Sequence, residues 1–345
     1  MKKVTVLSLL ISLSPVLLNY LFNLTPWHSI LSNSSATEGD LTEMTATSPD
    51  SQLSKKTLSL NTSLNTSLNT LPLDVPMESV GQLETLHDQE LQSKLEAILH
   101  SNKHWVELSK RNSLSIGIVD MQDPMNSRFA AINENNMVYA ASLPKIAVLL
   151  ASEEALEQGR ITETAAVKAD MRMMIAKSSN EAATRMIDRV GIKQIGETLQ
   201  NPRYNLYDVE NGGGLWVGKA YGRGNVRIGD PIKNLSHAAT VMEVCKYYYM
   251  LAFGQLVSHD RSKEMLGYLV NPELHHKFVS VLDRVAPDAK VYRKSGTWAN
   301  WHADSALVWS KDRRYIVVAL AEDAGGETML RELMLKIDNV LVSKG

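Results

Sequence analysis

Ala140-Ala141-Ser142-Leu143-Pro144-Lys145-Ile146 is the stretch on which the reading of this chain turns. Behind it runs Ala147-Val148-Leu149-Leu150-Ala151-Ser152-Glu153-Glu154-Ala155-Leu156-Glu157-Gln158-Gly159. Ile146, Leu149, Leu150 and Leu156 recur near helical spacing, and Gly159 is a stop signal. Pro144 is tolerated only in the first helical turn, where its missing N–H is not needed. The spacing therefore predicts a helix beginning close to Ser142, with the hydroxyl at the positive end of the helix dipole. Lys145, three residues on, falls on the same face. A hydroxyl beside an amine, with free amide donors nearby, is what nucleophilic acyl transfer needs. Taken alone, the pattern also fits a capping serine followed by a solvated lysine.

The surrounding chain narrows the choice. At 345 residues it is long enough for one large domain or two smaller ones. A net charge of -2 and the lack of any dense basic run argue against nucleic acid as a partner. The single cysteine, Cys245, excludes an intramolecular disulfide and reads as a buried helical residue. Lys2 and Lys3 precede an apolar run from Val4 to about Leu24, so residues 1–36 are expected to be a signal peptide or an N-terminal membrane anchor. Export to the periplasm or another extracytoplasmic space follows, with membrane attachment left open. Residues 37–78 turn to Ser, Thr, Asn and Leu. Their short repeat Ser59-Leu60-Asn61-Thr62 and onward has little to bury and is read as a flexible tether.

Residues 79–345 carry the expected folded domain. Leu83, Leu86, Leu91, Leu95, Ile98 and Leu99 form a helical stripe. Ser113–Asp120 and Arg128–Ile132 read as strands, as do Asp304–Trp309 and Tyr315–Leu320 near the other end. A last amphipathic helix starts at about Glu327. Helix, two strands, many helices, several strands and a helix predict an α+β fold. It would be an antiparallel sheet flanked by N- and C-terminal helices, with a helical subdomain inserted between the strand groups.

Two further short motifs follow the first. Ser178-Ser179-Asn180 precedes the stripe Ala183, Met186, Ile187 and Val190, where a capping cluster is the ordinary explanation. Lys294-Ser295-Gly296-Thr297 continues a strand, and a glycine there marks a bulge or a close backbone approach. In this order, S-x-x-K, S-x-N and K-S-G resemble the three motifs of the penicillin-recognising serine enzymes, the serine β-lactamases and the D,D-peptidases, with most likeness to the class A β-lactamase branch. The resemblance runs from about Leu83 to Gly345.

That resemblance implies a serine hydrolase needing no metal or other cofactor. It would act as a monomer on a small β-lactam or a peptidoglycan stem peptide. Ser142 would be the nucleophile, Lys145 would take or relay its proton, and Ser178 would pass a proton to the leaving nitrogen. Asn180, Lys294, Ser295, Gly296 and Thr297 would bind substrate, with the N–H groups of Ser142 and Thr297 as the oxyanion hole. β-Lactam hydrolysis is the first reading, with a D-Ala-D-Ala carboxypeptidase or a non-turnover penicillin sensor as alternatives.

The family also carries a water-activating Glu on a loop after the second motif, with an Asn four residues further. The matching stretch here is Leu206-Tyr207-Asp208-Val209-Glu210-Asn211-Gly212-Gly213-Gly214. Glu210 is the expected base, Asp208 a weaker one, and Gly214 stands where the Asn belongs. Gly213 to Lys219 imitates a phosphate loop, but Ala220 replaces the required hydroxyl residue. Trp216, Trp298 and Trp301 are expected either at a pocket wall or in packing, His302 either near the site or not, and His237, with the helix Ala238 to Leu251 that follows it, as structural.

Overall fold

Five antiparallel strands form the main sheet, in the order Arg128–Ile132, Leu114–Asp120, Arg314–Glu322, Trp301–Trp309, Lys290–Trp298. The computed structural model describes residues 70–76, 79–222 and 226–342. The signal or anchor segment and most of the tether lie outside them. The chain joins the domain earlier than expected, because Leu71, Leu73 and Val75 pack against the core and Asp74 meets His259 at 3.0 Å. Among the described residues, no helix is long and apolar enough to cross a membrane.

The alternation of side chains along the strands sorts the core into two layers. Leu114, Ile116 and Ile118 face one layer, as do Tyr315, Val317, Ala319 and Ala321. This layer is closed by the helices Gln89–His100, Lys103–Lys110, Phe278–Val285 and Gly326–Leu341. Val119, Ile316, Val318 and Leu320 face the other layer, beneath the inserted helices. The α+β expectation therefore holds, with helices on both faces of an antiparallel sheet.

The Lys145–Glu157 helix runs through the middle of the second layer. Eleven of its thirteen residues are buried, which suits an apolar helix with almost no polar face. Its end is the predicted one: Gly159 has φ +66°, and Arg160 N–H reaches back to Ala155 O at 2.8 Å. Its start is later than predicted. Residues 141–144 form turns, Pro144 occupies the cap, and the first helical residue is Lys145. Ser142 thus stands before the helix, in a turn that Leu143 N–H closes on Ala140 O at 3.0 Å.

A small sheet braces this turn. Val138–Tyr139 pairs with His237–Ala239, which also pairs with Trp216–Val217. His237 is therefore on a strand, and the following helix begins only at Val241, three residues later than the sequence reading placed it.

Candidate active site

The three motifs converge. On the Lys290–Trp298 strand, Tyr292 faces the layer of the inserted helices, so Lys294 and Gly296, which share its parity, face the Ser142 turn. Gly296 is there because nothing larger fits. A Cβ on it would lie 2.2 Å from Ala140 O and 2.8 Å from the backbone nitrogens of both Ser142 and Leu143. The close approach predicted from the glycine is thus between the third motif and the first.

Ser178 enters from the other side. Its neighbour Ser179 is the cap of the Asn180–Val190 helix, accepting from Ala182 N–H at 3.1 Å. The ordinary capping explanation applies to that residue alone. Ser178 has φ +57°, a left-handed conformation uncommon outside glycine.

Lys145 is the hub. Its Nζ lies 2.6 Å from Ser178 O, 2.8 Å from Asn180 Oδ1, 3.2 Å from Ser142 Oγ and 3.4 Å from Ser178 Oγ. As a neutral amine it has two N–H bonds to give, and the carbonyl and the amide oxygen take them. Its lone pair is left for the Ser142 hydroxyl proton. Lys145 is fully buried, and burial brings its pKa down to about 7, opposed by the charge of Glu181. Lys294 Nζ donates to Ser178 Oγ at 2.9 Å and to Ser295 O at 2.7 Å. Burial first, and then the Lys145 charge, hold Lys294 well below the usual lysine range. Ser178 Oγ therefore bridges two buried amines.

Ser142 opens into a cavity of about 330 Å³ lined by Tyr139, Asn180, Lys219, Tyr221, His237, Thr297 and Trp298 among others. Among the described residues, no carboxylate side chain lines it. Trp298 is 61% exposed at the rim, edge-on to Tyr139 at 5.7 Å. Trp301 also meets Tyr139 edge-on, at 6.2 Å. Trp216 is instead buried, packed on Tyr207 and bonded to Ile228 O at 2.8 Å. Ser295 is buried within the strand. His302 is buried and is not among the cavity residues.

Glu210 stands apart from the other site candidates. It is exposed at the tip of a hairpin between Tyr207–Asp208 and Gly213–Gly214. The Asp208 side chain accepts from Glu210 N–H at 2.9 Å and from Asn211 Nδ2 at 2.7 Å, and Glu210 is not among the residues lining the Ser142 cavity. Asp208 is spent on that turn. Gly212, Gly213 and Gly214 take positive φ, and they pack against Asn135, Met137 and Leu206.

Three cavity or support residues carried no sequence signal. Lys277 is buried with φ +52°, and its Nζ donates to Gly296 O at 2.6 Å, Thr297 Oγ1 at 2.7 Å and Ala303 O at 3.1 Å. It thereby fixes the third motif from behind; burial lowers its pKa to about 8. His237 meets Lys219 O through Nε2 at 3.0 Å and the Ser236 hydroxyl through Nδ1 at 3.1 Å, and burial holds it neutral, at about 4. It lines the cavity. Tyr221 packs against its ring, tilted, with centroids 4.2 Å apart.

Comparison with known proteins fits this site. The family model for the Beta-lactamase enzyme family matches residues 167–343, just over half of the chain, and the chain belongs to that family. It is a member of the penicillin-recognising serine enzyme group. Among solved structures it is similar to the β-lactamase from Sphaerobacter thermophilus DSM 20745, at 15% identity and TM-score 0.56, over 72% of this chain and 97% of that one. It is also similar to PBP-A, at 16% identity and TM-score 0.53, over 73% and 96%. A representative class A β-lactamase from Bacteroides cellulosilyticus DSM 14838 aligns at 14% identity and TM-score 0.55, over 72% and 98%. At such identities the likeness is one of fold. No curated protein matches the chain in sequence.

Proposed function

We propose that the chain is a serine acyl-transfer hydrolase that opens a β-lactam ring or a D-alanyl amide through Ser142, and that releases the acyl group from penicillins slowly. The observation that carries this reading is the 3.2 Å approach of Lys145 Nζ to Ser142 Oγ inside a cavity without a carboxylate. Lys145, neutral in a useful fraction near pH 7, takes the hydroxyl proton as Ser142 Oγ bonds to the substrate carbonyl carbon. The N–H groups of Ser142 and Thr297 hold the oxyanion, on backbones that Gly296 keeps in contact. The carbon–nitrogen bond then breaks. Ser178 gives its proton to the leaving nitrogen and is resupplied by the amines that flank it.

Release of the acyl group needs an activated water. The similar class A β-lactamases motivate rapid hydrolysis, but the one loop glutamate expected to serve is turned outward. The carboxylate-free cavity therefore favours a penicillin-binding peptidase or sensor over a fast β-lactamase. One of the similar structures is described as a PBP-A acyl-enzyme complex with penicillin G. The test is labelling of the purified protein with fluorescent penicillin, followed by a chase with unlabelled drug. A label that persists for many minutes supports the proposal; release within seconds supports the β-lactamase reading, and no label at all removes both.

A further inference from the structure

Lys145 is a buried amine whose ammonium has little to compensate it. Its charge is favoured by Glu181, which is exposed and tied to the Ser179 hydroxyl. Its neighbours Ser142, Ser178 and Asn180 offer only neutral oxygens. Two other basic groups stand close by: Lys294, which shares Ser178 Oγ with it, and His237, whose pKa its charge lowers. What faces the Nζ directly is an aromatic ring. Tyr221 lies with its centroid 4.5 Å from Lys145 Nζ. The ring is 92% buried, being 8% exposed. It is held against the His237 ring, the two centroids 4.2 Å apart and the planes tilted by 39°, and Tyr139 is the other titratable group near its hydroxyl. That hydroxyl is buried and makes no hydrogen bond in the structure, so hydrogen bonding does not explain the side chain's presence. The ring face does: a desolvated ammonium over an aromatic face is attracted by its quadrupole.

We infer that Tyr221 is a positioning residue whose ring face stands in for a counter-ion, holding the Lys145 ammonium over the cavity between proton transfers. This rests on the reading of Lys145 as the proton acceptor for Ser142. The ring stabilises only the charged form, so it opposes the effect of burial. Weakening it makes Lys145 a weaker base that sheds its proton at lower pH.

The test replaces Tyr221 by Phe, and then by 3,5-difluoro- and pentafluorophenylalanine, which keep the ring in place while draining the π face. Protonation of Lys145 is followed by NMR of protein carrying 13Cε-lysine, the signal being assigned through its loss in Lys145→Arg. The Phe variant is expected to titrate as wild type. The fluorinated series is expected to move the midpoint stepwise to lower pH, by about one pH unit at pentafluoro, or roughly tenfold in proton affinity. The low-pH limb of the acylation rate should move with it. An unchanged midpoint across the series overturns the inference. So does a shift in the Phe variant as large as that on fluorination, because the hydroxyl would then be responsible. The titration needs no turnover, so loss of all acylation alongside a normal fluorine series would count against the proposed function alone.

Discussion

Ser178 Oγ accepts a hydrogen bond from Lys294 Nζ at 2.9 Å, although the residue that presents it sits at φ +57°. Chemistry and backbone strain can be separated there. Ser178→Gly keeps the left-handed backbone at no steric cost but removes the hydroxyl, and should lower the acylation rate about 10²–10⁴-fold with thermal stability unchanged or improved. Ser178→Ala should lose the same activity but keep the backbone strain that serine already carries, and so should be less stable than Ser178→Gly by about 1 kcal/mol. Stopped-flow acylation and thermal melts of both variants check the pair.

The acylation rate should follow the fraction of neutral Lys145. Burial lowers its pKa to about 7, so the rate constant should climb with pH to a plateau, with its midpoint near that value. A limb near the ordinary lysine pKa would mean that another group takes the Ser142 proton. The measurement is the second-order rate of penicillin labelling between pH 5 and pH 9.

Gly296→Ala places a methyl group 2.2 Å from Ala140 O. Neither partner is the free end of a flexible side chain, so the strand must part from the Ser142 turn. A loss of about 1–3 kcal/mol is expected by analogy with overpacking. Acylation should fall more steeply than stability, because the oxyanion donors separate. Equilibrium denaturation and labelling kinetics on one preparation test both.

Glu210→Gln should leave the lifetime of the acyl-enzyme within twofold of wild type, since Glu210 is exposed at a hairpin tip held by Asp208. A clear lengthening of that lifetime would return Glu210 to the mechanism.

Glu243 is buried beside the same loop with the Lys246 ammonium 3.8 Å from its Oε2, and burial, opposed by that charge, raises its pKa to about 8. The folded state thus holds a proton that the unfolded chain releases near the ordinary glutamate value. This site's contribution is fully present below that value and is lost as pH rises towards 8. Glu243→Gln removes the penalty. It should raise stability by on the order of 2–4 kcal/mol at pH 9 and leave it almost unchanged at pH 4, as read by thermal melts at the two pH values.

The three motifs were legible because each is a short run whose residues act together, and because Gly159, Pro144 and Gly296 mark turns and contacts in ways that sequence records directly. The alternating strands near residues 114–120 and 314–322 were legible for the same reason. Tyr221, His237 and Lys277 were not. None belongs to a motif; each acquires its role only when the small sheet and the 277–278 turn bring it against a residue more than a dozen positions away. The exposure of Glu210 was not legible, because its place was inferred from order along a loop. The Asp208-to-Gly212 stretch has the composition of a tight turn, and such a turn sets the direction of its residues locally. The tether boundary was misplaced because Leu71, Leu73 and Val75 look like the rest of a low-complexity tract until the core offers them a surface.

The most direct measurement is the mass of the tryptic peptide spanning residues 129–145 after the protein has been incubated with penicillin G. The account expects this peptide, and no other, to gain the mass of the whole drug, and expects the gain to vanish in Ser142→Ala. An adduct on any other peptide, or an unmodified 129–145 peptide under conditions that label a known penicillin-binding protein, would contradict it.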